Sequence, residues 1–144
     1  MKHSSMPSLA SVMTPFPYSI DIKASLAEAE ALMQTHGIRH LAVTDQQALE
    51  SIVSARDIES GHFQRQHINA ELCVGDVCPT RAYIADVHDP LDRVLDAMAT
   101  THIGAVLITR EGELAGIFTL QDACQRLAEL LRELHPESPP DQAA

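Results

Sequence analysis

Ile52-Val53-Ser54-Ala55-Arg56-Asp57 returns 65 residues later as Ile117-Phe118-Thr119-Leu120-Gln121-Asp122. Both stretches read as an apolar pair, a hydroxyl, two further residues and an aspartate. Carried backward at the same offset, Leu26 falls on Leu91, Met33 on Met98, Ile38 on Ile103 and Leu49 on Leu114, with no gap from Leu26 to Ile58. A period of this length marks one supersecondary unit used twice. A single such unit leaves one face of its sheet uncovered, and two can bury those faces against each other.

The local patterns give both copies one element order. In the first, Tyr18 to Ile22 is extended, with Tyr18, Ile20 and Ile22 on one face. Ser25 caps a helix, with Glu28 completing a capping box, and Leu26, Ala29, Leu32 and Met33 form its apolar side up to Gly37. Ile38 to Val43 and Leu49 to Val53 are strands around a polar turn, and a helix begins after Ser54. In the second copy Tyr83 to Val87 is extended and Pro90 heads the helix Leu91 to Met98. Ile103 to Ile108 and Leu114 to Phe118 are strands around Glu111-Gly112, and a last helix from Asp122 to about Leu134 carries Leu127, Leu130, Leu131 and Leu134 as a stripe. The fold class is therefore α/β in the broad sense (α+β): two β-α-β-β-α repeats related by a pseudo-twofold axis in one module. The expected partition is a flexible leader (1–10), repeat 1 (11–66), a connection (67–76), repeat 2 (77–134) and a disordered tail (135–144).

Composition removes several classes of function. The 144 residues carry a formal net charge of −10, and the ten basic residues form no stripe, which argues against a nucleic-acid backbone as partner. There is no Trp, with two Tyr and three Phe, so base-stacking platforms are scarce. No apolar run approaches the ~20 residues of a membrane span, and the start lacks a secretory apolar stretch; a cytoplasmic location is expected. Cys73, Cys78 and Cys124 have no CxxC spacing. Of the eight histidines, His36 and His40 are separated by the break at Gly37, and His62 and His67 fit helical ligand spacing poorly, so no metal site is expected. A Gly-x-Ser-x-Gly elbow and the phosphate-binding glycine patterns are missing, and no enzyme activity is expected.

With this order in place, the chain resembles a tandem pair of CBS (cystathionine β-synthase-like) domains, a Bateman module, over roughly residues 8–134. The resemblance rests on Val12-Met13-Thr14-Pro15 and Val77-Cys78-Pro79-Thr80 opening the copies, the strand Ile38-Arg39-His40-Leu41-Ala42-Val43, and the two hydroxyl-x-x-Asp endings. It departs from the usual pattern at Ser51, where the family places glycine as at Gly116, and at Cys78, where methionine is common. The resemblance implies a non-catalytic regulatory module with no catalytic cofactor. It binds AMP, ADP, ATP or S-adenosylmethionine as effector in clefts between the repeats. It also implies a homodimer, with an effector protein reading the conformational shift.

The residues that would carry such binding can be named. Asp57 and Asp122 can each accept both hydroxyls of a ribose, and Ser54 and Thr119, at helix N-termini, can donate to phosphate. The same spacing also makes a capping box, in which the acid bonds back to the cap's own N–H. The alternative function is accordingly a ligand-free dimerisation or scaffold module whose Ser/Thr-x-x-Asp motifs only cap helices. The resemblance places Arg39 and His40 toward phosphate, and Arg56 lies inside the first clamp; as solvated charges they need no ligand. Their second-copy counterparts, Gly104, Ala105 and Gln121, are uncharged, so the first cleft suits a charged nucleotide and the second a less charged ligand. By the same resemblance Tyr18, Ile20, Tyr83 and Ala85 border the adenine, with Ile38 and Ile103 as walls, although core packing explains apolar residues there equally well.

Overall fold

Two two-residue hairpins organise the chain. Asp45 pairs with Ala48 across Gln46-Gln47, and Arg110 pairs with Glu113 across Glu111-Gly112. All four turn residues have positive φ, from 50° to 81°, which matches the twist of the strands they join. The chain, seen here as a computed structural model, is described over residues 5–68, 71–79 and 82–136. Its first half runs α1 (Leu9–Val12), β1 (Thr14–Pro15), β2 (Ser19–Asp21), α2 (Leu26–His36), β3 (His40–Asp45), β4 (Ala48–Ser54) and α3 (Ala55–Ile68). The second half runs α4 (Val74–Val77), β5 (Ile84–Asp86), α5 (Leu91–Thr101), β6 (Ala105–Arg110), β7 (Glu113–Thr119) and α6 (Leu120–Leu134). The β-α-β-β-α order of each repeat is as expected.

Each repeat pairs its first strand in parallel with its second and its second antiparallel with its third, giving the order β2-β3-β4 and its counterpart β5-β6-β7. Side chains alternate across these sheets. Leu41, Val43 and Val53 pack with Leu26, Ala29 and Met33 of α2 in one core. Val106, Ile108 and Phe118 pack with Leu91, Val94 and Met98 of α5 in another. Between the sheets Ala42, Ala105, Leu107 and Ile117 form a third apolar layer, with Leu49, Ile52 and Leu114 against it. α2 starts on Ser25, whose Oγ accepts the Glu28 N–H at 3.0 Å, and stops at Gly37 with φ 63°. The Glu28 carboxylate returns no bond among the described residues, so the expected capping box is half formed. α5 stops at His102 in the same left-handed region.

The repeats are also interlocked. β1 pairs with β7, Thr14 opposite Ile117 and Pro15 opposite Gly116, and Leu9 is fully buried in the core of the second repeat. In return, α4, which stands 65 residues after α1, packs on the first repeat. There Val74 is fully buried and donates to Ala24 O at 2.8 Å, and Gly75 donates to Ile22 O at 2.8 Å. This corrects the expected partition at two points. Residues 9 and 10 belong to a packed helix and not to a loose leader, because Leu9 has an apolar pocket to fill. The connection likewise contains core, since α3 continues to Ile68 and Val74 closes the first repeat. Residues 1–4 of the leader, 69–70 of the connection, Thr80 of the second opening motif and 137–144 of the tail lie outside the described residues.

Candidate functional site

The candidate site is the end of the groove between the two sheets, where β4 and β7 give way directly to helices. Cross-strand partners share a face, so the pairs His40–Ser54 and Ala42–Ile52 point toward the second sheet. The pairs Ala105–Thr119 and Leu107–Ile117 point back toward the first. The apolar layer occupies the middle of the inter-sheet space, and His40, Ser54 and Thr119, at the strand ends beyond it, are half-buried. α3 and α6 begin one residue beyond the two hydroxyls, so each hydroxyl stands at the positive end of its own helix.

Both hydroxyl–aspartate pairs form capping boxes. Asp57 Oδ2 accepts the Ser54 N–H at 2.8 Å, and Ser54 Oγ accepts the Asp57 N–H at 3.1 Å. In the second repeat Asp122 Oδ2 accepts the Thr119 N–H at 2.9 Å, and Thr119 Oγ1 accepts the Asp122 N–H at 3.2 Å. The carboxylates are thus turned onto their own main chain through Oδ2, while Oδ1 of each makes no hydrogen bond among the described residues. The hydroxyls differ. Thr119 Oγ1 also donates to Asp122 Oδ2 at 3.1 Å, whereas Ser54 keeps its hydroxyl hydrogen unspent among the described residues.

His40 stands opposite Ser54 at the head of β3. Its imidazole is held below its ordinary pKa by burial and, less strongly, by neighbouring Arg39, while Asp57 and Asp122 both pull the other way. Arg39 and Arg56 are exposed on the first-repeat side. Ala105 is buried where His40 would have its counterpart, so charge is concentrated on one side of the pseudo-twofold axis.

The expected adenine-bordering residues fall into two groups. Tyr18 is 47% exposed and stacks on His36, ring centroids 3.7 Å apart and planes at 13°. Ile20 and Ile38 are half-buried against the first core, Tyr83 is half-buried against the second, and Ile103 is half-buried. Ala85 does not belong with them. It is 2% exposed inside the second core, because its position on β5 points toward α5 and not toward solvent. His36 is a neighbour that sequence reasoning misses, since only the packing of the last turn of α2 beside β2 brings it to Tyr18.

The two departures from the family pattern also meet in space. Gly116 lies under Met13: a Cβ there would stand 2.8 Å from Met13 Cγ and 3.0 Å from Thr14 O. At the equivalent place Ser51, 2% exposed, donates its hydroxyl to Pro79 O at 2.6 Å, next to Cys78. Burial pushes the Cys78 thiol up, so it stays protonated. A large residue over glycine in one repeat is matched by a small residue over serine in the other.

Among the described residues no three His, Cys, Asp or Glu side chains are grouped to hold a metal ion, and no helix is long and apolar enough to cross a membrane. The family described as CBS domain matches the chain twice, over residues 9–60 and 74–129. No curated protein matches it by sequence. Among solved structures, a Vibrio cholerae protein assigned to acetoin utilization (AcuB) superposes with a TM-score of 0.76 at 27% identity, over 94% of this chain and 100% of the other. The CBS domain pair of protein MJ0100, in complex with 5′-methylthioadenosine and S-adenosyl-L-methionine, gives a TM-score of 0.76 at 20% identity, over 88% and 99% of the two chains. CBSX2 in complex with AMP gives 0.72 at 19% identity, over 87% and 98%.

Proposed function

Since the chain belongs to the CBS-domain family and carries the domain twice, we propose that it is a non-catalytic regulatory module that binds adenosine-containing ligands in the clefts between its two repeats. The observation that supports this reading is that both hydroxyl–aspartate pairs stand at helix N-termini, each with a carboxylate oxygen that makes no hydrogen bond among the described residues. In this reading Asp57 and Asp122 accept ribose hydroxyls through Oδ1 while Oδ2 keeps the helix cap. Ser54 and Thr119 receive phosphate at the helix N-termini, with Arg39, His40 and Arg56 supplying positive charge on the first side. Tyr18, Ile20, Ile38, Tyr83 and Ile103 border the purine. The charged side suits AMP, ADP or ATP, and the uncharged side suits S-adenosylmethionine or a nucleoside. The ligands of CBSX2 and of the MJ0100 domain pair support the same chemistry.

Such a module acts by population shift: a ligand that binds one arrangement of the repeats more tightly favours that arrangement, and a partner protein reads it. We place it in the cytoplasm as a homodimer, with energy sensing as its role. Calorimetric titration with AMP, ATP and S-adenosylmethionine tests the reading. At least one of them binds, and Asp57→Ala or Asp122→Ala weakens it tenfold or more, about 1.4 kcal/mol. Absence of binding heat for every adenosine compound with folded protein overturns it.

The capping boxes favour a second reading, a scaffold without ligand. It predicts that the aspartate variants lose about 1 kcal/mol of stability. It also predicts that no adenosine compound raises the melting temperature, which binding to the folded state must do.

A further inference from the structure

One side of α6 repeats with the period of a helix that pairs with another helix. Leu120, Cys124, Leu127, Leu131 and Leu134 follow one another at steps of four, three, four and three, and all five are exposed. That alternation keeps a single seam turned to a partner helix along its whole length. The residues flanking the seam, Gln121, Ala123, Ala128 and Leu130, carry no charge. Arg126 spends its guanidinium on Glu129 and Glu133 at 3.4 Å, on the side turned away. α3 has no such seam. At the matching positions it carries Ala55, Glu59, His62 and Gln66, and His62 is tied to Glu30 of α2 at 2.8 Å. α3 therefore offers the leucines no apolar partner at these positions, whereas α6 of a second copy does.

Volume sets the direction of the pair, since no flanking charge does. In a parallel pair Cys124 would face the partner's Cys124, small against small, and leave a gap between leucine layers. In an antiparallel pair it faces a leucine, and the two helix dipoles run in opposite senses. The two alternating positions then meet each other, so Cys124 lies against either Leu127 or Leu134. With Leu127 there, Leu134 would run past the start of the partner's helix to the level of Ile117, which is buried between the sheets. Resting on the homodimer of the reading above, we propose that two copies join second repeat to second repeat through α6, the helices antiparallel and Cys124 of each against the partner's Leu134.

Oxidation of Leu134→Cys by glutathione disulfide reads this arrangement, because a disulfide needs Cα atoms within about 7 Å. The greater part of the variant is expected to run as a covalent dimer on a non-reducing gel, with peptide mass spectrometry joining Cys124 to position 134. In the wild type the two Cys124 thiols stand about 15 Å apart along the pair, so no Cys124–Cys124 bond is expected. Gln66→Cys, which puts a thiol on α3 at the position matching Leu131, is expected to form no bond between copies. A Cys124–Cys124 bond in the wild type, a bond through Gln66→Cys, or no bond in Leu134→Cys protein that sediments as a dimer overturns the proposal. Wild-type protein that sediments as a monomer overturns it together with the homodimer. Binding of adenosine compounds, read by calorimetry, stands or falls on its own.

Discussion

Gly116 has no room for a side chain, and Ser51, its counterpart, has a partner waiting for one. Met13 fills the space above Gly116, while the smaller Cys78 leaves Ser51 space to reach Pro79 O. The two contacts behave as a matched pair of volumes, which makes them separable by substitution. Gly116→Ser alone overpacks the contact and should cost about 1–3 kcal/mol in urea unfolding. Adding Met13→Cys should return much of that loss, because it recreates the combination found in the first repeat. A double variant no more stable than Gly116→Ser would show that the contacts are independent. His40 gives a second residue-scale prediction. Its pKa is lower in the fold than its ordinary value of about 6.5, so the unfolded chain binds the proton more readily. Its contribution to stability is complete above that ordinary value and is lost as pH falls toward the folded one. Between about pH 7 and pH 5 the urea midpoint of the wild type should drop more than that of His40→Ala. Parallel curves would refute the assignment.

At the scale of elements, the hairpins differ in one residue that matters. Gln47 holds φ 69° where the second repeat has Gly112 at φ 81°. A side chain in the left-handed region costs roughly 1–2 kcal/mol, so Gln47→Gly should stabilise the protein by about 1 kcal/mol, read as a higher urea midpoint at unchanged slope. An unchanged or lower midpoint would mean that the gain in unfolded-chain entropy at glycine outweighs the relieved strain. The hairpins, both long helices of each repeat and the strand faces were legible in the sequence because period and turn chemistry are local signals. α1 and α4 were not. Four residues such as Leu9–Val12 have no period of their own, and what makes them helical is the pocket that Leu9 fills in the other repeat. The clamp motifs were legible as an ambiguity, hydroxyl and acid at capping distance, and the structure shows the cap while leaving one oxygen over. Ala85 was misread because a small apolar residue on a short strand fits either face.

In the whole molecule the two repeats are less alike than their sequences, and the difference lies in the last helices. α3 nestles into the first repeat at Gly61, where a Cβ would stand 2.6 Å from Val77 Cγ1 and 2.9 Å from Leu26 Cδ1. The matching position on α6 is Arg126, which reaches Glu129 and Glu133 at 3.4 Å on the helix surface. No residue of α6 is buried, and Leu127, Leu130, Leu131 and Leu134 are 41–64% exposed along one stripe. These leucines therefore do not pack into the core of either repeat. A stripe at this spacing covered by its own copy buries several leucines, each worth about 1.5–3 kcal/mol when fully removed from water, which is the force behind the proposed homodimer. Sedimentation should find a dimer for the wild type and a monomer for Leu127→Glu combined with Leu131→Glu, with circular dichroism unchanged between them. Neither substitution touches the groove, so AMP should still bind the monomer. A wild type that sediments as a monomer would remove the dimer from the proposal, and a dimer that survives both glutamates would move its interface away from α6.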